Sequence, residues 1–317
     1  MDKNLEEFQS MGIFKIYVEA YKVTLSWKKI FSQIALALIL PLAIISLAQI
    51  EITDLLKKNI EFNLNTALRA ICGLFLVILS LLSTSAVVYT IACIYSSKEI
   101  TFKKVMTAVP KVLKRLTVTF LWNFLIVFLY NLIVVVIIFL LAIVYLVLAR
   151  IFSVQLDWSS PITILVTVII VLIPYMIGAI YIGLVWYLAS VVSILEDIRG
   201  IEAMKKGKAL VKGKIWISLI TAIPLQICNM VNLFAFSSLV VQGESLGMAG
   251  RVSLGIFCLV LLVIFVHFGR VIQTIIYFVC KSYHKENIDK SSLVCHLDGY
   301  HLGDYESLSR GEVDNPV

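Results

Sequence analysis

Residues 116–149 read LTVTFLWNFLIVFLYNLIVVVIIFLLAIVYLVLA, 34 positions without one Asp, Glu, Lys or Arg. Crossing the hydrocarbon of a bilayer takes roughly 20 apolar residues of helix, so this stretch is a span with length to spare. Five further uncharged runs surround it, at 30–50, 70–97, 158–195, 215–243 and 252–269, and the six together fill more than half of the 317 residues. Of the whole chain, 60% is hydrophobic and 15% charged, against about 45–50% and about 25% in ordinary globular domains. A soluble core of this size cannot hide so much apolar surface. In lipid every backbone amide must be satisfied within its own segment, which selects helices. The expected fold is therefore all-α: a polytopic membrane protein with six transmembrane helices near 31–50, 70–95, 117–149, 162–195, 215–241 and 253–280. The run 158–195 has length for a hairpin around Pro174, but that would move the basic segment 199–214 to the opposite side. One long helix bent at Pro174 is expected instead.

Charge sets the orientation. Lys and Arg number 21 in the N-terminal segment, the two long connections and the tail, against 5 in the three alternate loops, with Arg270 left inside the last span. By the positive-inside rule both termini and the two basic connections are cytosolic, in the endomembrane system or the plasma membrane. The net charge of +7 is then a membrane-surface signature. It is no argument for nucleic acid, because the charges flank spans and form no aromatic-interleaved groove.

The basic segments carry helical periodicity. In 98–115, Phe102, Val105, Met106, Val109, Val112 and Leu113 follow three-and-four spacing, with Lys103, Lys104 and Lys111 on the remaining arc and Pro110 as a bend. In 199–213, Ala203, Met204, Gly207, Leu210 and Val211 share one face and Lys205, Lys208 and Lys212 the other. Near the N-terminus, Phe14, Tyr17, Val18, Tyr21 and Leu25 make a stripe within 8–28. Each reads as a cytosolic amphipathic interfacial helix. The order amphipathic helix, span, span then repeats three times, over about 8–97, 98–198 and 199–284, a pseudo-threefold plan. Residues 285–317 are expected to be a flexible cytosolic tail, in which Tyr305, Glu306, Ser307 and Leu308 fit a tyrosine-based sorting pattern.

Polar groups inside spans are where function is sought. No Asp or Glu falls within a proposed span. Arg270 and His267 share a stripe on the sixth span with Gln273 or Thr274, and Gln226, Asn229 and Asn232 recur every three residues on the fifth. At about 1.5 Å per residue, Arg270 lies roughly 16 Å from Lys281 and Gln226 roughly 18 Å from Lys214, so antiparallel neighbours can meet at one depth. Arg270, His267, Gln226 and Asn229 are the candidate binding seam, between spans three, five and six, with Asn123 and Asn131 of span three as further members. Lys205, Lys206, Lys208 and Lys212 are the candidate lipid-headgroup cluster.

From the end of the fourth span, Ser193, Ile194, Leu195, Glu196 and Asp197 are followed by Gly200, Ala203, Lys206, Ala209, Leu210, Lys212, Gly213 and Trp216. This pattern resembles the six-span membrane domain family fused to bacterial glycerophosphodiester phosphodiesterases, although Lys206 and Gly207 stand about where that family often has Ser. Whole-chain features, with His301, Leu302, Gly303, Asp304 and Tyr305 of the tail, resemble a plant family of uncharacterised six-span proteins. The resemblance implies a fold and no activity, since the phosphodiesterase chemistry belongs to a separate soluble barrel. Physically, Glu196 and Asp197 favour the positive end of the following helix, and Gly200 and Gly213 let the chain turn.

The six cysteines suggest neither disulfides nor metal ligation; they read as small buried hydrophobes, with Cys280 at a membrane edge where acylation is conceivable. There is no HExxH, no paired Asp, and no Ser or Cys with an evident base partner. The expected function is non-enzymatic and without cofactor: membrane organisation, trafficking or partner scaffolding, with membrane lipids as partners. The alternative is a lipid or small-molecule carrier using the polar seam.

Overall fold

A computed structural model describes residues 8, 11–58, 62–96, 100–152, 161–243 and 247–284. The tail expectations, including the Tyr305 motif and the His301 to Tyr305 similarity, lie outside the described residues. Every element is helical: α1 (Ile13–Ser26), α2 (Lys28–Ile34), a π turn (Ala35–Ile39), α3 (Leu40–Lys58), α4 (Phe62–Tyr95), α5 (Phe102–Phe152), α6 (Pro161–Leu195), α7 (Ile201–Val211), α8 (Ile215–Ala235), a second π turn (Phe236–Val241) and α9 (Met248–Tyr283). Among the described residues six helices are long and apolar enough to cross a membrane: Lys28–Asp54, Leu68–Tyr95, Phe102–Val147, Ile169–Leu195, Ile215–Val241 and Met248–Tyr283, numbered below as spans 1 to 6. The fold is all-α and polytopic, and α6 runs as one helix through Pro174.

Spans 2, 4 and 6 pack against one another pairwise and form the centre. Their last turns, residues 85–95, 188–195 and 270–280, are buried at every position, because the odd spans and the basic segments wrap them. Span 1 lies against spans 2 and 6, and span 3 against spans 4 and 2. The segment entering each unit seats on the even span of the unit before it: α1 on span 6, α7 on span 4, and the start of α5 in one cluster with span 2.

This seating corrects two expectations. The segment 98–115 is no separate helix: α5 is a single 51-residue helix that passes through Pro110, about 76 Å long. Nothing at 113–117 breaks it, whereas the third unit breaks at Gly213, whose φ of +100° suits a residue without Cβ. Second, the apolar faces expected to lie on lipid are covered by protein. Val105, Val109 and Val112 of α5, and Ala203, Met204 and Leu210 of α7, are buried in the bundle. Gly207 brings α7 so close to α6 that a Cβ there would stand 2.9 Å from Ala189 N and Val185 O. On α1 the buried face is Ile16, Glu19, Ala20 and Val23, while Phe14, Val18, Tyr21 and Leu25 of the expected stripe remain exposed, Phe14 at 80%, and Tyr17 is half-buried.

At the basic end Glu196 forms a clasp. Tyr277 Oη donates to its Oε1 at 2.6 Å and Lys281 Nζ at 2.8 Å, while Lys206 Nζ sits 2.6 Å from Oε2. Span 4, span 6 and α7 are thereby joined. Burial works to raise the Glu196 carboxyl, but the hydrogen bonds from Lys206, Lys281 and Tyr277 outweigh it and hold the group below its ordinary value. Asp197 pairs with Arg115, and Gly200 N donates to Thr119 Oγ1 at 2.9 Å, tying the α6–α7 turn to span 3. Cys280 is fully buried with its Sγ 3.8 Å from Ser218 Oγ, which removes it as an acylation site.

Candidate functional site: a cavity between spans 4 and 5

Threefold packing would seat span 5 on span 4 as well as on span 6. Instead a cavity of about 760 Å³ separates them, inside the roughly 300–1,000 Å³ range of small-molecule pockets. Span 4 contributes Met176, Ile180, Gly183 and Tyr187 to one side, and span 5 contributes Ile223, Gln226, Ile227 and Met230 to the other. Pro224, inside α8, removes one backbone donor from this stretch of span 5. The rung lost is the one to the Ile220 carbonyl; at the next residue the Thr221 carbonyl accepts from Tyr17 Oη at 2.8 Å, so α1 is tied to span 5 beside the gap.

The inner wall is polar. Ser80 and Thr84 of span 2, Ser190 of span 4, and Arg270 and Gln273 of span 6 line it. Arg270 is 8% exposed. Its Nε donates to Thr84 Oγ1 at 3.0 Å and its Nη2 to Ser80 Oγ at 3.3 Å. Nη1 is buried without a hydrogen-bond partner among the described residues. Among the described residues no carboxylate lines the cavity. Gln273 Nε2 donates to Tyr187 O at 2.6 Å and to Ser190 Oγ at 2.7 Å, and Tyr187 Oη donates to Gly269 O at 2.8 Å. These bonds fix spans 4 and 6 on either side of Arg270. An unpaired guanidinium nitrogen at membrane depth is costly, and an anionic oxygen is the group that would satisfy it.

The sequence-expected seam is partly assembled. Arg270, Gln226 and Asn229 all line the cavity, and Asn229 Oδ1 is also without a partner among the described residues. His267 is not in it. It packs edge-on to Phe31 at 5.2 Å between centroids, with Nε2 3.4 Å from Thr24 Oγ1. The seam's spans also differ from the expectation. Spans 2 and 4 join spans 5 and 6, while span 3 contributes only Leu116. Asn131 donates to Val127 O in its own helix and accepts from Tyr175 Oη, and Asn232 donates to Cys258 O. Of the proposed headgroup cluster, Lys205, Lys208 and Lys212 are exposed, but Lys206 is half-buried and committed to Glu196.

Sequence reading overlooked Ser80, Thr84, Tyr187 and Ser190. Span 2 carries a cluster of hydroxyls, Ser80, Ser83, Thr84 and Ser85, that could have marked them. It goes unnoticed because membrane-helix hydroxyls usually bond back to the preceding turn, as Ser85 and Thr90 do here.

No curated protein and no solved structure matches the chain. A family model described as a domain of unknown function (DUF8558) matches residues 1–71 and 61–315, almost the full length, and the chain belongs to that family.

Proposed function

We propose that this is a non-enzymatic carrier that holds a small molecule inside the membrane, in the cavity between spans 4 and 5. The observation that carries the reading is Arg270: a nine-tenths-buried charge on the cavity wall, with one nitrogen unpartnered and no carboxylate beside it. A purely structural arginine would be expected to have its charge met within the protein. Orientation belongs to the same proposal. The charge imbalance of 21 against 5 supports cytosolic termini, in an endomembrane or plasma membrane.

A second reading, membrane organisation or partner scaffolding, is favoured by Lys205, Lys208 and Lys212. They remain exposed at the basic end, where anionic headgroups or an acidic partner can reach them. Native mass spectrometry of the protein extracted with its lipid separates the two. The carrier reading expects a stoichiometric non-protein mass that disappears when Ile227→Trp fills the cavity. A chain that carries no such mass but retains a protein subunit would leave the scaffold reading standing.

A further inference from the structure

The cavity has two unlike ends. Toward span 2 it is lined by hydroxyls, an amide and the Arg270 guanidinium. Toward the surface it is lined by Met176, Ile180, Ile227 and Met230, all exposed. Spans 4 and 5, which would close that side in a threefold bundle, stand apart there, and the exposed apolar belt continues on both of them. A water-soluble ligand would gain nothing from such a mouth, because it opens at the level of the apolar belt that a bilayer covers. A molecule with an apolar chain gains burial at both ends: head against the polar wall, chain out between the spans.

We propose that the ligand is a membrane amphiphile with an anionic phosphate or carboxylate head, bound head-first to Arg270 with its chain leaving laterally between spans 4 and 5. This rests on the carrier reading and deepens it by naming the ligand's class. Arg270 is suited to the head because its guanidinium is a charged donor to anionic oxygens, and Ser80 and Thr84 hold it in place through Nη2 and Nε. Asn229 and Gln226, on the opposing span, offer neutral hydrogen-bonding groups for the linker below the head. Arg270 lies about 16 Å along the helix from Lys281, so the head leaves the interface to reach it, as a carried lipid must.

The experiment uses the full-length protein in nanodiscs and native mass spectrometry with three probes. Phosphatidic acid has head and chains, diacylglycerol has the chains without the anion, and glycerol phosphate has the anion without the chains. The proposal expects one phosphatidic acid per chain and neither of the others. Arg270→Gln should weaken that binding about 10- to 100-fold, Arg270→Lys should weaken it less, and Ile227→Trp should abolish it. Ile227 is 57% exposed, so its variant keeps the test open if Arg270→Gln fails to fold. Equal binding of diacylglycerol, indifferent to Arg270→Gln but lost in Ile227→Trp, would overturn the anionic class and leave the carrier reading intact. Glycerol phosphate binding as tightly as phosphatidic acid would overturn the amphiphile. No binding in any arm would sink both.

Discussion

Residues 85–95 of span 2 and residues 135–144 of span 3 are almost equally free of charge, yet the first are buried at every position and the second exposed at every position. Charge cannot tell them apart, although the first carries Ser85, Tyr89, Thr90 and Tyr95 and the second no hydroxyl at all. The difference is what surrounds them: the even spans end inside a ring of α1, α7 and the early turns of α5, whereas span 3 continues beyond that ring with α6 as its main neighbour. Tyr130, fitted over Gly178 and donating to Tyr175 O at 2.8 Å, is a tie between those two helices at that level. The molecule is thus a packed basic half and an open apolar half, and the cavity lies where one gives way to the other.

Substitutions should expose this contrast, the largest effect coming from the packed half. Ile275→Ala, at a fully buried position of span 6, should cost about 2–5 kcal/mol, read as a lower melting temperature in detergent. Gly207→Ala should cost about 1–3 kcal/mol, because the new methyl meets the Ala189 and Val185 backbone, which cannot move aside as a flexible side chain can. A melting curve unchanged by Gly207→Ala would mean that α7 is not seated as closely as described.

Glu196→Gln, which weakens the clasp, should cost about 1–3 kcal/mol and remove a pH dependence. Because the folded carboxyl is held below its ordinary 4.5, its stabilisation is complete above about that pH and fades as pH falls through the lower folded value. Wild type should therefore lose melting temperature under acid more steeply than the variant, and parallel curves would argue against the clasp. Smallest of all, Leu140→Ala in span 3 should shift stability by less than about 0.5 kcal/mol, since the residue is more than half exposed. A loss comparable to Ile275→Ala would show that a second copy of the chain covers the open half.

Much of the plan was legible in advance. Run lengths located all six helices, and the charges sorted the connections into two kinds. Positive φ at Gly200 and Gly213 falls where the chain was expected to turn. The segment 193–216 has a physical account in the structure: Glu196 for the clasp, Gly207 for close approach, and Gly200 and Gly213 for the turns. Arg270, Gln226 and Asn229 were brought to one level by helix rise alone.

Three matters escaped sequence reading. An amphipathic face has the same spacing whether lipid or protein covers it, so the seating of α7 on α6, and of the early α5 turns on span 2, could not be inferred from periodicity. His267 and Arg270 share a stripe, yet neighbouring helices divide them, His267 toward Thr24 and Phe31 and Arg270 toward Ser80 and Thr84. Above all, the open packing between spans 4 and 5, where a cavity lies, leaves no trace in the spacing of either span. The sequence by itself determines which segments enter the membrane, because hydrocarbon selects on local apolar length. Which faces meet, and where they leave room for a ligand, was decided only by the tertiary structure, because packing depends on side chains far apart in the chain.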